Sequence, residues 1–127
     1  MKRPRGMLLL RLTGMITVAA GLGVAAPAAV YRSPLAVAVS PDGQTLYVSD
    51  KTGGCVTVLD AVAGKKIGEV ETAGEPNGLA LSADGSTLYV ASYMANSVSV
   101  VDVKGRKAVG RINVGKRPAG LALSADG

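Results

Sequence analysis

Three aspartates recur at one place in a repeated decapeptide: Asp42, Asp84 and Asp126, each followed by a glycine. Carboxylates are hard oxygen ligands, so the chemistry such a series could do is to hold calcium. That ion takes about six to eight converging oxygens, and each turn supplies one carboxylate. The reading adopted is therefore local: each side chain bonds amides of its own turn. Asp60 and Asp102 close equivalent apolar runs and are read the same way. Tyr47 and Tyr89 could pass for a binding pair. Their shared repeat position points instead to packing, with the hydroxyl near a sheet edge. Cys55 is the single cysteine, so it has no internal disulfide partner. The next unit has Ser97 in its place, and the chain contains no His to activate a thiol. No catalytic residue, metal ligand or cofactor site is expected from these residues.

The positions that do not repeat carry more information. Lys51-Thr52-Gly53-Gly54 and Tyr93-Met94-Ala95-Asn96 occupy the same loop in successive units yet share no residue. The connections between units differ as well, with Glu75 and Asn77 in one and Lys116, Arg117 and Ala119 in the other. Loops carry function more often than strands. Lys51, Thr52, Asn77, Tyr93, Met94, Asn96, Lys116 and Arg117 are accordingly the candidate partner-binding residues, expected on one rim. The plain alternative is a set of solvated loops that have drifted.

These loops need a scaffold, and the repeat describes it. Pro34–Gly43, Pro76–Gly85 and Pro118–Gly127 are copies of one segment at a constant spacing of 42 residues. A fixed period of this size signals stacked units. In each full unit a short apolar run ends in Ser-Pro-Asp-Gly or Ser-Ala-Asp-Gly, a tight-turn signal with glycine in the left-handed position. Thr-Leu-Tyr-Val follows as a second strand. Cys55–Leu59 and Ser97–Val101 alternate small-polar and apolar residues as a third. Ile67–Thr72 and its counterpart around Val109–Ile112 make a fourth. Four antiparallel strands in about 42 residues is the sequence form of a β-propeller blade. The expected fold is all-β: two complete blades (34–75 and 76–117) and the first strand of a third (118–127).

Charge and the N-terminus bound the function classes. The net charge is +5, but Lys2, Arg3, Arg5 and Arg11 all precede the repeats. Setting those four apart leaves ten basic residues against nine acidic ones, so the repeat region is nearly neutral. That argues against nucleic acid as a partner. The order basic segment, apolar segment, then Ala26-Pro27-Ala28 reads as a secretory signal peptide over residues 1–28, cleaved near Ala28. The alternative is an uncleaved anchor, the only membrane association the sequence suggests. Residues 29–33 form a short linker. Export to the periplasm, cell surface or exterior follows.

Pro-x-Gly-x-Ala-x-Ser-x-Asp-Gly, then Thr-Leu-Tyr-Val, then Val-x-Val-x-Asp, resembles the YVTN-type β-propeller repeat. The resemblance covers Pro34 to Gly127, with Tyr47-Val48-Ser49-Asp50 and Tyr89-Val90-Ala91-Ser92 at the naming motif. WD-repeat signatures are absent. The resemblance implies an exported propeller of about seven blades. A seven-bladed ring needs about 290 residues at this period, so the chain reads as a fragment, with missing blades or other chains needed to close the ring. Three functions stay open. The first is a non-catalytic scaffold that engages a protein or cell-surface ligand through its loop rim. The second is part of a propeller enzyme or redox-associated subunit, lactonase-like or haem- or quinoprotein-associated. The third is a periplasmic DNA-binding propeller, against which the near-neutral charge weighs.

Overall fold

The computed structural model describes residues 31–127; the leader, its cleavage position near Ala28 and the start of the linker lie outside the described residues. Eight strands run in chain order: β1 Pro34–Val39, β2 Thr45–Asp50, β3 Cys55–Asp60, β4 Lys65–Glu71, β5 Pro76–Leu81, β6 Thr87–Ser92, β7 Ser97–Asp102 and β8 Lys107–Asn113. They form two four-stranded antiparallel sheets, β1-β2-β3-β4 and β5-β6-β7-β8. Both are simple meanders, as hairpin-connected strands require. Among the described residues there is no helix, and hence none long and apolar enough to cross a membrane. The architecture is a partial β-propeller of two blades with the ring not closed.

The two sheets repeat each other down to their irregularities. Tyr47 faces Val58 and Ser49 faces Val56 across β2 and β3, as Tyr89 faces Val100 and Ala91 faces Val98 across β6 and β7. A register shift between Val58 and Leu59 recurs between Val100 and Val101. The turn after the first strand is also shared. Gly43 and Gly85 take φ of 73° and 75°, and their amides donate to the carbonyls of Ser40 and Ser82. These values lie in the left-handed region that glycine enters without steric cost. The fourth strand of blade 1 starts at Lys65, two residues before the apolar run suggests. Lys65 and Lys66 still pair with Asp60 and Leu59, so backbone pairing outlasts the hydrophobic pattern.

The core lies between the sheets. Strand residues alternate sides, so blade 1 sends Tyr47, Val56, Val58 and Val70 to meet Leu88, Val90 and Val101 of blade 2. Leu88, Val90 and Val56 are wholly buried. Polar ties cross the same interface. Ser49 Oγ donates to the Asn77 carbonyl at 2.7 Å, and Arg106 donates to the Ile67 carbonyl at 2.7 Å. The Arg106 guanidinium lies across Gly68, where a Cβ would stand 2.6 Å from Nη1.

Residues 118–127, expected as the first strand of a third blade, form no strand. A strand is defined by its ladder partner, and among the described residues this segment has none. The segment nevertheless keeps part of its repeat conformation. The Gly127 amide donates to the Ser124 carbonyl at 2.9 Å, closing the same turn. Ala119 and Gly120 lie directly over Gly78, where an added Cβ would be 2.4 Å from the Ala119 carbonyl oxygen.

Candidate partner-binding rim

Each blade contributes two loops to one end of the structure: the β2–β3 and β6–β7 hairpin loops, and the connections after β4 and β8. Backbone bonds stitch these loops together in matched pairs. The Thr72 amide donates to the Gly54 carbonyl, and the Val114 amide to the Asn96 carbonyl, 42 positions on. The Tyr93 amide donates to the Glu75 carbonyl at 2.8 Å, tying blade 2's hairpin loop to the connection that precedes it.

Tyr93 is the centre of this rim. Lys51 Nζ and the Arg117 guanidinium each lie 5.8 Å from its ring centroid, within cation–π range. Lys51 also pairs with Glu75 at 3.4 Å. Among the described residues, neither Lys116 nor Arg117 has a carboxylate within ion-pair distance. Asn96 Oδ1 accepts from the Arg117 amide at 3.0 Å. Tyr93, Met94, Asn96, Lys116 and Arg117 line a cavity of about 270 Å³. Of the eight candidate residues, five therefore gather around a sixth, Tyr93. Thr52 is turned to Ser33, whose hydroxyl it meets at 2.8 Å. Asn77 spends its carbonyl on the blade interface.

Two of the rim residues are backbone outliers. Asn96 and Arg117 have φ of 54° and 55°, a region that Asn visits comparatively readily and that costs a residue such as Arg about 1–2 kcal/mol. Asn96 stands where blade 1 has Gly54, and Arg117 takes the left-handed place that Gly74 holds in the preceding connection, shifted by one residue. In both cases a side chain that reaches a neighbouring loop replaces a glycine. Nothing in a single-residue reading of Asn96 or Arg117 discloses this; comparison with the glycines one period back does.

The opposite rim holds the recurring aspartates, and their carboxylates are used within their own turns. Asp42 accepts from the Ser40 hydroxyl and Gln44 amide. Asp84 accepts from the Ser86 amide and from the Ser82 and Ser86 hydroxyls, and Asp126 from the Ser124 hydroxyl. No metal-holding cluster occurs among the described residues. The Ser86 amide, then the two hydroxyls, lower the Asp84 pKa from 3.8 to about 2. Because the folded value lies below the unfolded one, the ionised carboxylate stabilises the fold above pH 3.8, and this contribution disappears as pH falls towards 2. The thermal midpoint is thus expected to drop across that window and to drop less in Asp84→Asn. Parallel curves for the two proteins would show that the carboxylate bonds contribute nothing.

Asp60 accepts from the Val62 and Ala63 amides, and Asp102 from the Gly105 amide. Tyr47 is in the core, where burial raises its pKa; Tyr89, on the far face of blade 2, is half-buried. Cys55 is buried, with Arg32 Nη1 3.5 Å from its sulfur.

Sequence reasoning missed Arg32 and Asp50. Asp50 is almost wholly buried. Its Oδ1 accepts from the Ser33 and Gly53 amides, and its Oδ2 pairs with Arg32 at 2.6 Å. Burial works against the charge, but the bonds from Arg32, Gly53 and Ser33 outweigh it and hold the carboxyl below its ordinary range. The available signal was the break in the repeat, where Asp50 stands against Ser92. With Pro34, Val48, Thr57, Leu59 and Lys66, the pair lines a cavity of about 300 Å³ on the free face of blade 1.

Comparison with known proteins bears on this architecture. No curated protein matches the chain by sequence. Among solved structures, Kuenenia stuttgartiensis hydrazine synthase superposes with a TM-score of 0.74 at 36% identity, over 84% of this chain and 31% of that one. A functionally unknown protein from Desulfotomaculum acetoxidans superposes with a TM-score of 0.65 at 17% identity, over 74% of this chain and 32% of that one, a likeness of fold. The chain thus spans about a third of either relative. The family model described as "Lactonase, 7-bladed beta-propeller" matches residues 11–117, through both observed blades. Repeat, blade topology and family match agree, and the chain belongs to the seven-bladed β-propeller lactonase family.

Proposed function

We propose that this chain is part of an exported propeller that serves an enzyme assembly as a binding subunit, engaging its partner through the rim around Tyr93. The observation that carries this reading is the convergence of Lys51, Tyr93, Asn96 and Arg117 from separate loops of two blades. The shared Pro-to-Gly decapeptide and the Tyr-Val segments favour a YVTN-type repeat within the family. The basic-then-apolar leader favours export. The likeness to an enzyme chain, hydrazine synthase, supports a place in an enzyme rather than a free-standing scaffold.

The family match favours a second reading, that the parent protein itself hydrolyses lactones. The two readings separate in one pair of measurements. The native protein is isolated from the exported fraction of its source, the mass of the particle is measured by light scattering, and its components are identified. The same protein is assayed for release of acid from a simple lactone. A stable particle containing an enzyme subunit, with no hydrolysis above background, is the expected result. Saturable hydrolysis by the isolated protein, without a partner, would favour the lactonase and sink the binding-subunit reading.

A further inference from the structure

We infer that the groove between the two Asp-Gly turns, on the rim opposite Tyr93, binds a primary ammonium group. It is a separate site from the partner-binding rim and does not depend on it. Asp42, Thr45 and Tyr47 of blade 1 line the groove with Asp84 and Gly85 of blade 2. Its volume of about 380 Å³ falls within the usual range for small-molecule sites, about 300–1,000 Å³. Both flanking turns belong to complete blades, and they are already in contact, since a Cβ on Gly85 would stand 2.8 Å from Pro41 Cδ. The groove is the space left open after those two blades have met.

Tyr47 supplies the first sign of a ligand. The residue is 5% exposed and its ring belongs to the core, yet its hydroxyl forms no hydrogen bond among the described residues. The fully enclosed side-chain oxygen without a bond is Ser97 Oγ. The Tyr47 hydroxyl therefore reaches open space, and that space is this groove. A buried polar group without a partner is rare enough in a folded protein to require a reason. Burial raises its pKa, Arg106 lowers it and Asp42 raises it, so the hydroxyl lies within electrostatic reach of both charges.

The two carboxylates supply the charge. Every bond that Asp42 accepts from a neighbouring residue falls on Oδ1, from the Ser40 hydroxyl and the Gln44 amide. Asp84 likewise takes its bonds from Ser82 and Ser86 on Oδ1. The turns thus hold both carboxylates in place and leave Oδ2 of each unspent. The same bonds keep both groups below their ordinary pKa, so both are ionised at neutral pH. Arg106 is the opposing cation, and it is already bonded to the Ile67 carbonyl.

This donor set selects among cations. Calcium takes about six to eight oxygens, and the groove offers fewer: the two Oδ2 atoms and the Tyr47 and Thr45 hydroxyls. A guanidinium fork pairs with both oxygens of one carboxylate, and here one oxygen of each is spent. An ammonium is a point charge with three donors that suit single acceptors from separate groups.

The test is calorimetric titration of the full chain with n-pentylamine at pH 7. Tetramethylammonium, which has the charge without N–H donors, and calcium serve as comparisons. Pentylammonium should bind saturably and tetramethylammonium should not. Tyr47→Phe should weaken binding about threefold to tenfold. Its thermal midpoint should stay level or rise, because the hydroxyl it removes has no partner in the fold. That combination separates lost recognition from lost folding. Asp42→Asn keeps an oxygen for the turn but loses the charge, and should weaken binding about tenfold. Equal binding of tetramethylammonium would reduce the site to diffuse charge attraction and overturn the inference. So would unchanged affinity in Tyr47→Phe, or displacement of the amine by calcium at equal ionic strength. Nα-acetyl-lysine amide distinguishes the source of the ammonium. Tighter binding than pentylamine would assign it to a lysine side chain, weaker binding to a free amine, and either order supports the site.

Discussion

Replacing Leu88 by alanine should lower the thermal midpoint by about 10–20 °C. Leu88 is wholly buried at the centre of the blade interface, packed among Tyr47, Val56 and Val58 from the other sheet. Truncating such a leucine removes its transfer free energy and leaves a cavity, together about 2–5 kcal/mol. The informative control is Leu46→Ala. Leu46 is the same residue one period earlier, but it lies on the free face of blade 1 and is only half-buried. Val48 and Leu59 share that face as counterparts of the buried Val90 and Val101. A midpoint loss for Leu46→Ala well below that for Leu88→Ala, read by circular dichroism on the full chain, is expected. Equal losses would mean that further protein covers the free face in solution, since a leucine already in contact with water has less to lose.

The second large effect concerns the rim itself. Gly74→Ala should cost about 2–3 kcal/mol, whereas Gly64→Ala should cost about 1 kcal/mol. Both glycines are left-handed, with φ of 62° and 68°. Gly64 faces open space, so only the conformational penalty applies there. A Cβ on Gly74 would stand 2.8 Å from the Ala95 amide nitrogen and 3.1 Å from the Ala95 Cβ. Backbone cannot swing aside as a flexible side chain can, so the β6–β7 loop must move. That motion would carry Tyr93 away from Lys51 and Arg117. Equilibrium denaturation of both variants measures the two costs, and equal values would show that the close approach of Gly74 to Ala95 is not tight.

Much of the fold was legible in the chain before any coordinates. The 42-residue period, the Asp-Gly turns and the alternating Cys55–Leu59 and Ser97–Val101 runs all depend on local chemistry: glycine's access to positive φ, and strand side chains that alternate faces. Such signals stay readable because they act over a few residues. The repeat also placed the hairpin loops and inter-blade connections on a common rim, because a meander returns to the same end every second strand.

The rest came from contacts between residues far apart in sequence. The sequence marks Asp50 only as a departure from Ser92 one period on; its burial and its pairing with Arg32 emerge only in the folded chain. The third copy of the decapeptide is as sound a strand sequence as the second, yet it forms no strand, because a ladder is a property of two strands and no described strand pairs with it. Arg117 reads locally as a solvated loop cation. Its place over Tyr93, its left-handed backbone and its bond to Asn96 arise where two blades and a connection meet. Local sequence specifies turns and strand faces through interactions within a few residues. Which loops come together, and which of two equivalent leucines is buried, depends on the packing of one sheet against the next, which only the tertiary structure decides.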